Sequence, residues 1–284
     1  MDSLSFDLLN EERTFGIEYR MFTDRGSMSS NHYHSHYEIY YQMAGERYYF
    51  IKDRTYYIKK GDIVFINMYD LHKTIYAGAD FYERVLINFK ARYIKGFSDD
   101  SKDIDLFSVF GKDINVYSLS LPEQGFIEGL LNKMLQENKK SLIGYGSYLK
   151  ISLIEILIFL NRLSLNPQTR YLEYPSALHK KISEVAKYIN NNFFNNITLN
   201  DLSQTFHVSP FYLSRTFKEV TGFTFIEYLN STRIKEAQRL LIKSNLSVTE
   251  IGEKVGFEST THFGRVFKNI SNTSPLQYRK LHSI

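Results

Sequence analysis

Apolar positions along this 284-residue chain change their spacing twice. From about Phe15 to Phe89, short runs rich in Tyr, Ile, Val and Phe are broken by turn signals at Met43-Ala44-Gly45-Glu46, Lys52-Asp53 and Lys59-Lys60-Gly61. Runs of that length and spacing predict strands, numerous enough to close into an antiparallel barrel or sandwich. Past Leu121 the period lengthens. Pro122 opens a helix that the pattern carries through Asn138, and a second helix covers about Tyr145 to Leu163. The second is apolar around most of its circumference, which leaves two uses for it, burial in the core or a dimer interface. Between Ser164 and Ser176 the periodicity fades and Pro167 and Pro175 appear, as in an interdomain linker. Everything beyond reads as helix.

The helical tail repeats itself. Thr198 to Phe206 aligns with Ser247 to Val255. After a one-residue difference in the turn, Leu213 to Lys218 aligns with Phe263 to Lys268, and Tyr228 then matches Tyr278. Each copy has the parts of a helix-turn-helix. Thr198 and Ser247 are hydroxyl N-caps with an acid three residues on, Asp201 and Glu250, the spacing of a capping box. Leu199, Leu202 and Phe206 share one face of a first helix, and Leu213 and Phe217 are the buried side of a second. Val248, Ile251, Val255, Phe263 and Phe267 do the same in the other copy. Between the helices, His207-Val208-Ser209-Pro210 and Gly256-Phe257-Glu258-Ser259 supply turns, with Pro210 suited to a first helical position.

With those faces buried, Phe211, Ser214, Arg215 and Lys218 point outward from one second helix. Thr260, Thr261, Gly264, Arg265 and Lys268 point outward from the other. Side chains at the start of such a helix meet base edges in the major groove of double-stranded DNA, where Arg grips guanine through two donors, and basic groups further along meet phosphates. A long helix over Leu229 to Lys243, carrying Arg233, Lys235, Arg239 and Lys243, would join the units. If rigid, it would set two recognition helices into successive grooves ~34 Å apart.

Charge agrees with that division. Residues from Ser176 onward hold 14 Lys/Arg against 8 Asp/Glu, a net of +6, while the remainder holds 21 against 23, a net of −2. Basic charge gathers where a polyanion would bind. Cysteine is absent, which excludes disulfides, thiolate metal sites and a cysteine nucleophile. The start, Met1-Asp2-Ser3-Leu4-Ser5, has no basic segment followed by an apolar one, and the greasiest stretch, Ile151 to Leu160, is far shorter than the ~20 residues of a membrane span. A cytoplasmic protein without membrane partners is the expectation.

Three segments carry a family resemblance: Ile251-Gly-Glu-Lys-Val-Gly-Phe-Glu-Ser259, then Phe263-x-Arg265-x-Phe267-Lys268, then Ser274-Pro275-x-x-Tyr278-Arg279. Residues from about Leu178 to Arg279 resemble the DNA-binding domain of the arabinose-operon regulator (AraC/XylS) family. The resemblance implies that Phe211, Ser214 and Arg215 approach bases in one groove and Thr260, Thr261 and Arg265 in the next. It also implies a regulator, more often an activator, working as a homodimer beside RNA polymerase under control of a small effector. Gly264 departs from the family, which often has a side chain there, and His262 fills the slot opposite Tyr212.

Upstream, His32-x-His34-x-x-x-Glu38 with Gly45, and Gly61 with His72 eleven residues later, resemble the two motifs of the cupin barrel. In cupin enzymes such positions bind a divalent metal through three imidazoles and a carboxylate, so a metal-dependent cupin enzyme fused to a DNA-binding module is the alternative. Asn67 and Tyr69 stand where the second motif has Pro and Gly, and Tyr76 stands for its closing Asn. Sensory barrels of the regulator family resemble the same pattern without generally using a metal. The expectation is therefore no enzyme, metal or cofactor, but a pocket in which His32, His34, Glu38, Tyr40, Arg47, Tyr49 and His72 meet a small polar effector such as a sugar. Sheet propensity accounts for most of the other tyrosines.

These readings give a multi-domain chain: a cupin-like β-barrel over residues 1–120, a helical dimerisation segment over 121–164, a linker over 165–177 and an all-α DNA-binding domain over 178–284. The two helix-turn-helix motifs fall at 198–221 and 247–271.

Overall fold

The computed structural model describes residues 14–23, 34–100, 103–165 and 173–282; most of the expected linker lies outside them. Contacts divide the chain into two compact units, the first made of residues 1–51 and 56–175 and the second of residues 176–284 together with the short segment Lys52–Thr55.

Among the described residues, eight strands precede the helical half: β1 (Phe15–Phe22), β2 (Tyr37–Ala44), β3 (Glu46–Ile51), β4 (Arg54–Lys59), β5 (Asp62–Ile66), β6 (His72–Tyr76), β7 (Tyr82–Phe89) and β8 (Val116–Ser118). They form a five-stranded sheet in the order β1-β7-β2-β5-β8 and a three-stranded sheet in the order β4-β3-β6. The registered pairs are antiparallel. This is the sheet-rich fold expected for the N-terminal half. The turn signals coincide with backbone needs, since Gly45 and Gly61 have φ of +73° and +87° and Lys52 has +58°. Tyr69, at the slot where the cupin motif has glycine, has φ +62°, a left-handed backbone that a bulky residue rarely adopts.

Alternation along the strands divides the first unit into two cores. Helices of this unit are α1 (Lys95–Asp100), α2 (Leu121–Lys140) and α3 (Tyr145–Ser164). Ile39 and Tyr41 of β2, Ile63 and Phe65 of β5, and Val85, Ile87 and Phe89 of β7 face outward under α2 and α3. From α2 and α3, Ile127, Leu131, Met134, Leu153, Leu157 and Leu160 join this core. The other faces of the same strands meet the second sheet, where Tyr40, Tyr49, Ile51, Tyr56, Ile58, Val64, Ile66 and Val116 fill the interior. Each fully buried aliphatic side chain contributes about 1.5–3 kcal/mol to holding these layers together.

Helix α2 opens on a capping box of Ser120 and Glu123 with Pro122 behind it. Most of α3 is covered by its own chain, which answers its apolar circumference. Asn161 pins it by donating to the carbonyls of Leu106 (3.1 Å) and Leu157 (2.9 Å). A narrow stripe stays open: Tyr145, Tyr148 and Ile151, the last 63% exposed, next to Leu142 and Ile143 of the preceding turn.

From Ser176 on, the elements of the described residues are all helices: α4 (Ala177–Asn192), α5 (Leu199–Thr205), α6 (Pro210–Thr221), α7 (Phe225–Lys243), α8 (Val248–Lys254), α9 (Thr260–Ser271) and α10 (Pro275–His282). Helices α5–α6 and α8–α9 are the two helix-turn-helix motifs. No helix among the described residues is long and apolar enough to cross a membrane.

The turn between β2 and β3 is the tightest test of the barrel. A Cβ on Gly45 would lie 2.3 Å from the Phe81 carbonyl oxygen and 2.9 Å from Tyr82 Cα, both backbone atoms that cannot swing aside. Gly45→Ala should therefore lower the unfolding free energy by roughly 1–3 kcal/mol, combining a strained φ with a clash. Denaturant unfolding followed by circular dichroism checks this; a change of only a few tenths would contradict it.

Candidate nucleic-acid interface and effector site

The two motifs match in backbone detail as well as in sequence. Thr198 Oγ1 accepts from Asp201 N at 3.2 Å while Thr198 N donates to Asp201 Oδ2 at 2.9 Å. Ser247 and Glu250 repeat this at 3.2 and 2.7 Å. Both turns put a left-handed residue at the same place, His207 (φ +53°) and Gly256 (φ +94°). Ser209 then caps α6 by accepting from Tyr212 N, and Ser259 caps α9 by accepting from His262 N. Both second helices end on a left-handed residue, Gly222 and Asn272. Even the ring packing repeats: Phe217 meets Tyr228 edge-on at 5.5 Å between centroids, and Phe267 meets Tyr278 edge-on at 5.5 Å.

That scaffold buries Leu213 and Phe217 in α6 and Phe263 and Phe267 in α9. Phe211, Ser214, Arg215 and Lys218 are exposed along α6, and Thr260, Thr261, Arg265 and Lys268 along α9. Phe211 is 79% exposed at the N-terminal end of α6, an unusual position for a phenyl ring with nothing of its own chain over it. His262 is exposed and meets the Phe257 ring edge-on at 5.6 Å. Arg233, one of the basic residues of α7, is buried, with Nε donating to the Phe193 carbonyl and Nη2 to the Asn195 carbonyl, each at 2.8 Å. Its burial is set by loops distant in sequence. Arg239 does stay at the surface, paired with Glu236 at 2.6 Å.

In the first unit, six of the seven expected effector residues lie in the barrel; His32 lies outside the described residues. Glu38 sits on β2 with Oε1 accepting from Tyr49 Oη at 2.9 Å and Oε2 3.1 Å from His34 Nε2 and 3.9 Å from His72 Nε2. His34 Nδ1 bonds the His36 carbonyl (2.9 Å) and His72 Nδ1 bonds the Asp70 carbonyl (2.7 Å). A carbonyl only accepts, so both Nδ1 atoms carry hydrogen and both Nε2 atoms turn toward the carboxylate. The ligand atoms of His34, Glu38 and His72 all lie within 4.8 Å of one another, so among the described residues these two imidazoles and one carboxylate could hold a metal ion.

Tyr40 donates to Gln42 Oε1 at 2.5 Å, and Arg47 lies with Cζ 4.4 Å from the centre of the Tyr82 ring. Burial raises Tyr40 and Tyr49 above the usual phenol range, and the Glu38 charge adds to the rise at Tyr49, so both remain neutral donors. Gln42 was not anticipated, although the alternation that puts Glu38 and Tyr40 on one face of β2 includes it. The recess lined by Lys112, Asp113, Ile114 and Tyr117 involves none of these residues.

Known proteins resemble both halves. Residues 15–136 match the AraC-like ligand binding domain family, and residues 202–281 match a helix-turn-helix domain family. The HTH-type transcriptional regulator YfiF of Bacillus subtilis is 31% identical over 262 residues, covering 88% of this chain and 79% of that protein. A second regulator of B. subtilis, YisR, is 32% identical over 165 residues, which is 58% of this chain and 57% of that protein. Among solved structures, the C-terminal domain of AraT, a response regulator from Geobacillus stearothermophilus, is 34% identical with a TM-score of 0.37, over 38% of this chain and 91% of that one.

The capping boxes tie the second unit to pH. Hydrogen bonds from Thr198 hold the Asp201 carboxyl below its ordinary value, and those from Ser247 do the same to Glu250. A carboxyl depressed in the folded state contributes stability that is full above its unfolded pKa, and that contribution disappears as the pH falls through the folded one. The first turns of α5 and α8 should therefore loosen as the pH drops from about 5 to below 4. Amide hydrogen exchange at Asp201 and Glu250 reads this directly. Asp201→Asn and Glu250→Gln should flatten the dependence, and equal acid sensitivity in those variants would contradict it.

Proposed function

The chain belongs to the AraC/XylS family of transcription regulators, and from that premise we propose that it is an effector-controlled activator that reads a two-part DNA site. The carrying observation is that two matching scaffolds expose the same helix face. Phe211, Ser214 and Arg215 then enter one major groove and Thr260, Thr261 and Arg265 the next, with Lys218 and Lys268 on phosphates. Arg215 and Arg265 suit guanine; the Phe211 ring and the threonine methyls suit the thymine methyl.

The effector reading rests on the barrel interior. His34, Glu38, Tyr40, Arg47, Tyr49 and His72 place imidazole, carboxylate, phenol and guanidinium groups in an otherwise apolar layer, with His32 beside them in sequence. Directed polar groups on an apolar lining suit a small polar molecule with several hydroxyls, such as a sugar. The open stripe of Tyr145, Tyr148 and Ile151 supports pairing of two copies through α3. Effector binding then biases how the paired readers meet their half-sites, and RNA polymerase is the partner for activation.

Footprinting on genomic DNA tests the DNA reading. Arg265→Ala should cost about 1–3 kcal/mol of specific binding and relax the preference at one base pair, whereas Lys268→Ala should weaken all sequences alike and lower the salt slope by about 1. An unchanged footprint for Arg265→Ala would remove that residue from the interface. For the sensor, a thermal-shift screen of small polar metabolites should find a compound that raises the melting point of the wild type. Glu38→Gln should abolish that rise by removing the charge and turning one of the two carboxylate oxygens, which face Tyr49 and His34 separately, into a donor; a rise that survives it would place the effector elsewhere.

A further inference from the structure

The two motifs are joined by more than the helix that runs between them. Arg233 lies midway along α7 with its guanidinium turned inward, holding the carbonyls of Phe193 and Asn195 in the loop from α4 into α5. Its Cζ also lies 5.4 Å from the ring centre of Phe257, in the turn between α8 and α9. One residue on, Glu258 Oε1 accepts from Asn196 Nδ2 at 3.0 Å, which adds a second bond between the same loop and the same turn. Gly256 completes the closure. A Cβ there would come 2.8 Å from the Phe194 carbonyl oxygen, 2.9 Å from that of Phe193 and 3.0 Å from Arg233 Nη2. The turn of the second motif is thus pressed onto the entry loop of the first, with Arg233 between them.

The mechanical consequence is specific. Two modules joined by one helix share its bending, and each base pair along B-DNA rotates the groove by ~35°, since a turn holds 10–10.5 pairs. A second connection closes a triangle and removes that freedom. Arginine suits the task because its planar fork reaches two carbonyls while its face lies on a ring, a combination that lysine lacks.

We propose that Arg233 is a positioning residue: through the 193–196 loop and the 256–258 turn it fixes α6 and α9 at one separation, so that the chain accepts two subsites at one spacing only. The proposal rests on both helices engaging DNA, but its geometric half can be tested without DNA. The chain has no cysteine, so Glu219→Cys and Asn269→Cys, both exposed and one residue beyond Lys218 and Lys268, accept a pair of spin labels without background. Electron-electron resonance should give a single narrow distance in the otherwise wild-type chain and a clearly broader one in Arg233→Lys. Gly256→Ala, which pushes the turn away without changing charge, should broaden it likewise and serves if Arg233→Lys does not fold. Distributions as narrow as the parent's in a folded variant would overturn the proposal.

On a footprinted duplex, inserting two base pairs between the subsites should weaken the parent by about tenfold or more, and Arg233→Lys by less than about threefold. A parent indifferent to the insertion overturns the proposal. So does an Arg233→Lys that loses as much affinity for a duplex with one subsite as for one with two. If no duplex is bound specifically, the DNA reading fails while the label distances still decide the clamp.

Discussion

Helix α7 is packed from two sides at once, and the second unit depends on it. Near its start, Tyr228 meets Phe217 of the first motif; from Ile234 to Leu241 it supplies Ile234, Ala237, Leu240 and Leu241 to the core that holds Ile251, Val255, Phe263 and Phe267. Helices α5 and α8 have seven residues each, too few to be stable in water on their own. Their caps satisfy the first free N–H groups, and the cores formed with α7 supply the rest. Neither motif stands as a separate module, which is why a contact such as that of Arg233 can govern both.

The barrel poses the opposite problem. Its five-stranded sheet is covered on the outside by α2 and α3 and on the inside by the second sheet, so β2 is buried along nearly its whole length. A buried strand would ordinarily be apolar, yet Glu38, Tyr40 and Gln42 line its inner face. Such groups are tolerable only when each finds a partner, and here Tyr49, His34 and Gln42 provide them. If the effector enters this layer as proposed, it must replace those bonds as well as displace the rings around them, and hydrogen-bond matching then sets selectivity more than volume does.

Legibility in the sequence followed the range of the interactions. The caps Thr198 and Ser247, the paired apolar faces and the exposed face of each second helix are local, set by residues three or four apart, and all were readable. The strand runs were readable for the same reason, and so was Gly45, whose turn needs a positive φ. The burial of Arg233 was not readable, because its partners Phe193, Asn195 and Phe257 are about forty and twenty-four residues away and nothing local distinguishes a buried arginine from a solvated one. Helix α3 left core and interface as equal readings; only the packed sheet shows that its larger face is core. Tyr69 shows a further limit, since nothing local in the sequence announces the left-handed backbone that this bulky residue adopts.

The likeness of the two motifs stops where packing stops. Cap, turn, helix end and aromatic pair are the same in both because each solves the same problem of anchoring two short helices to a neighbour. On the exposed faces only the spacing of Arg215 with Lys218 and of Arg265 with Lys268 is shared. Phe211 and Ser214 in one motif face Thr260, Thr261 and Gly264 in the other. Surface positions contribute little to stability and are free to differ. Two readers with unlike faces in one chain call for unlike half-sequences, and a site built of unlike halves has a direction. A two-fold reader needs a second copy to complete a palindrome; this unit needs none to define which way round it lies on the duplex.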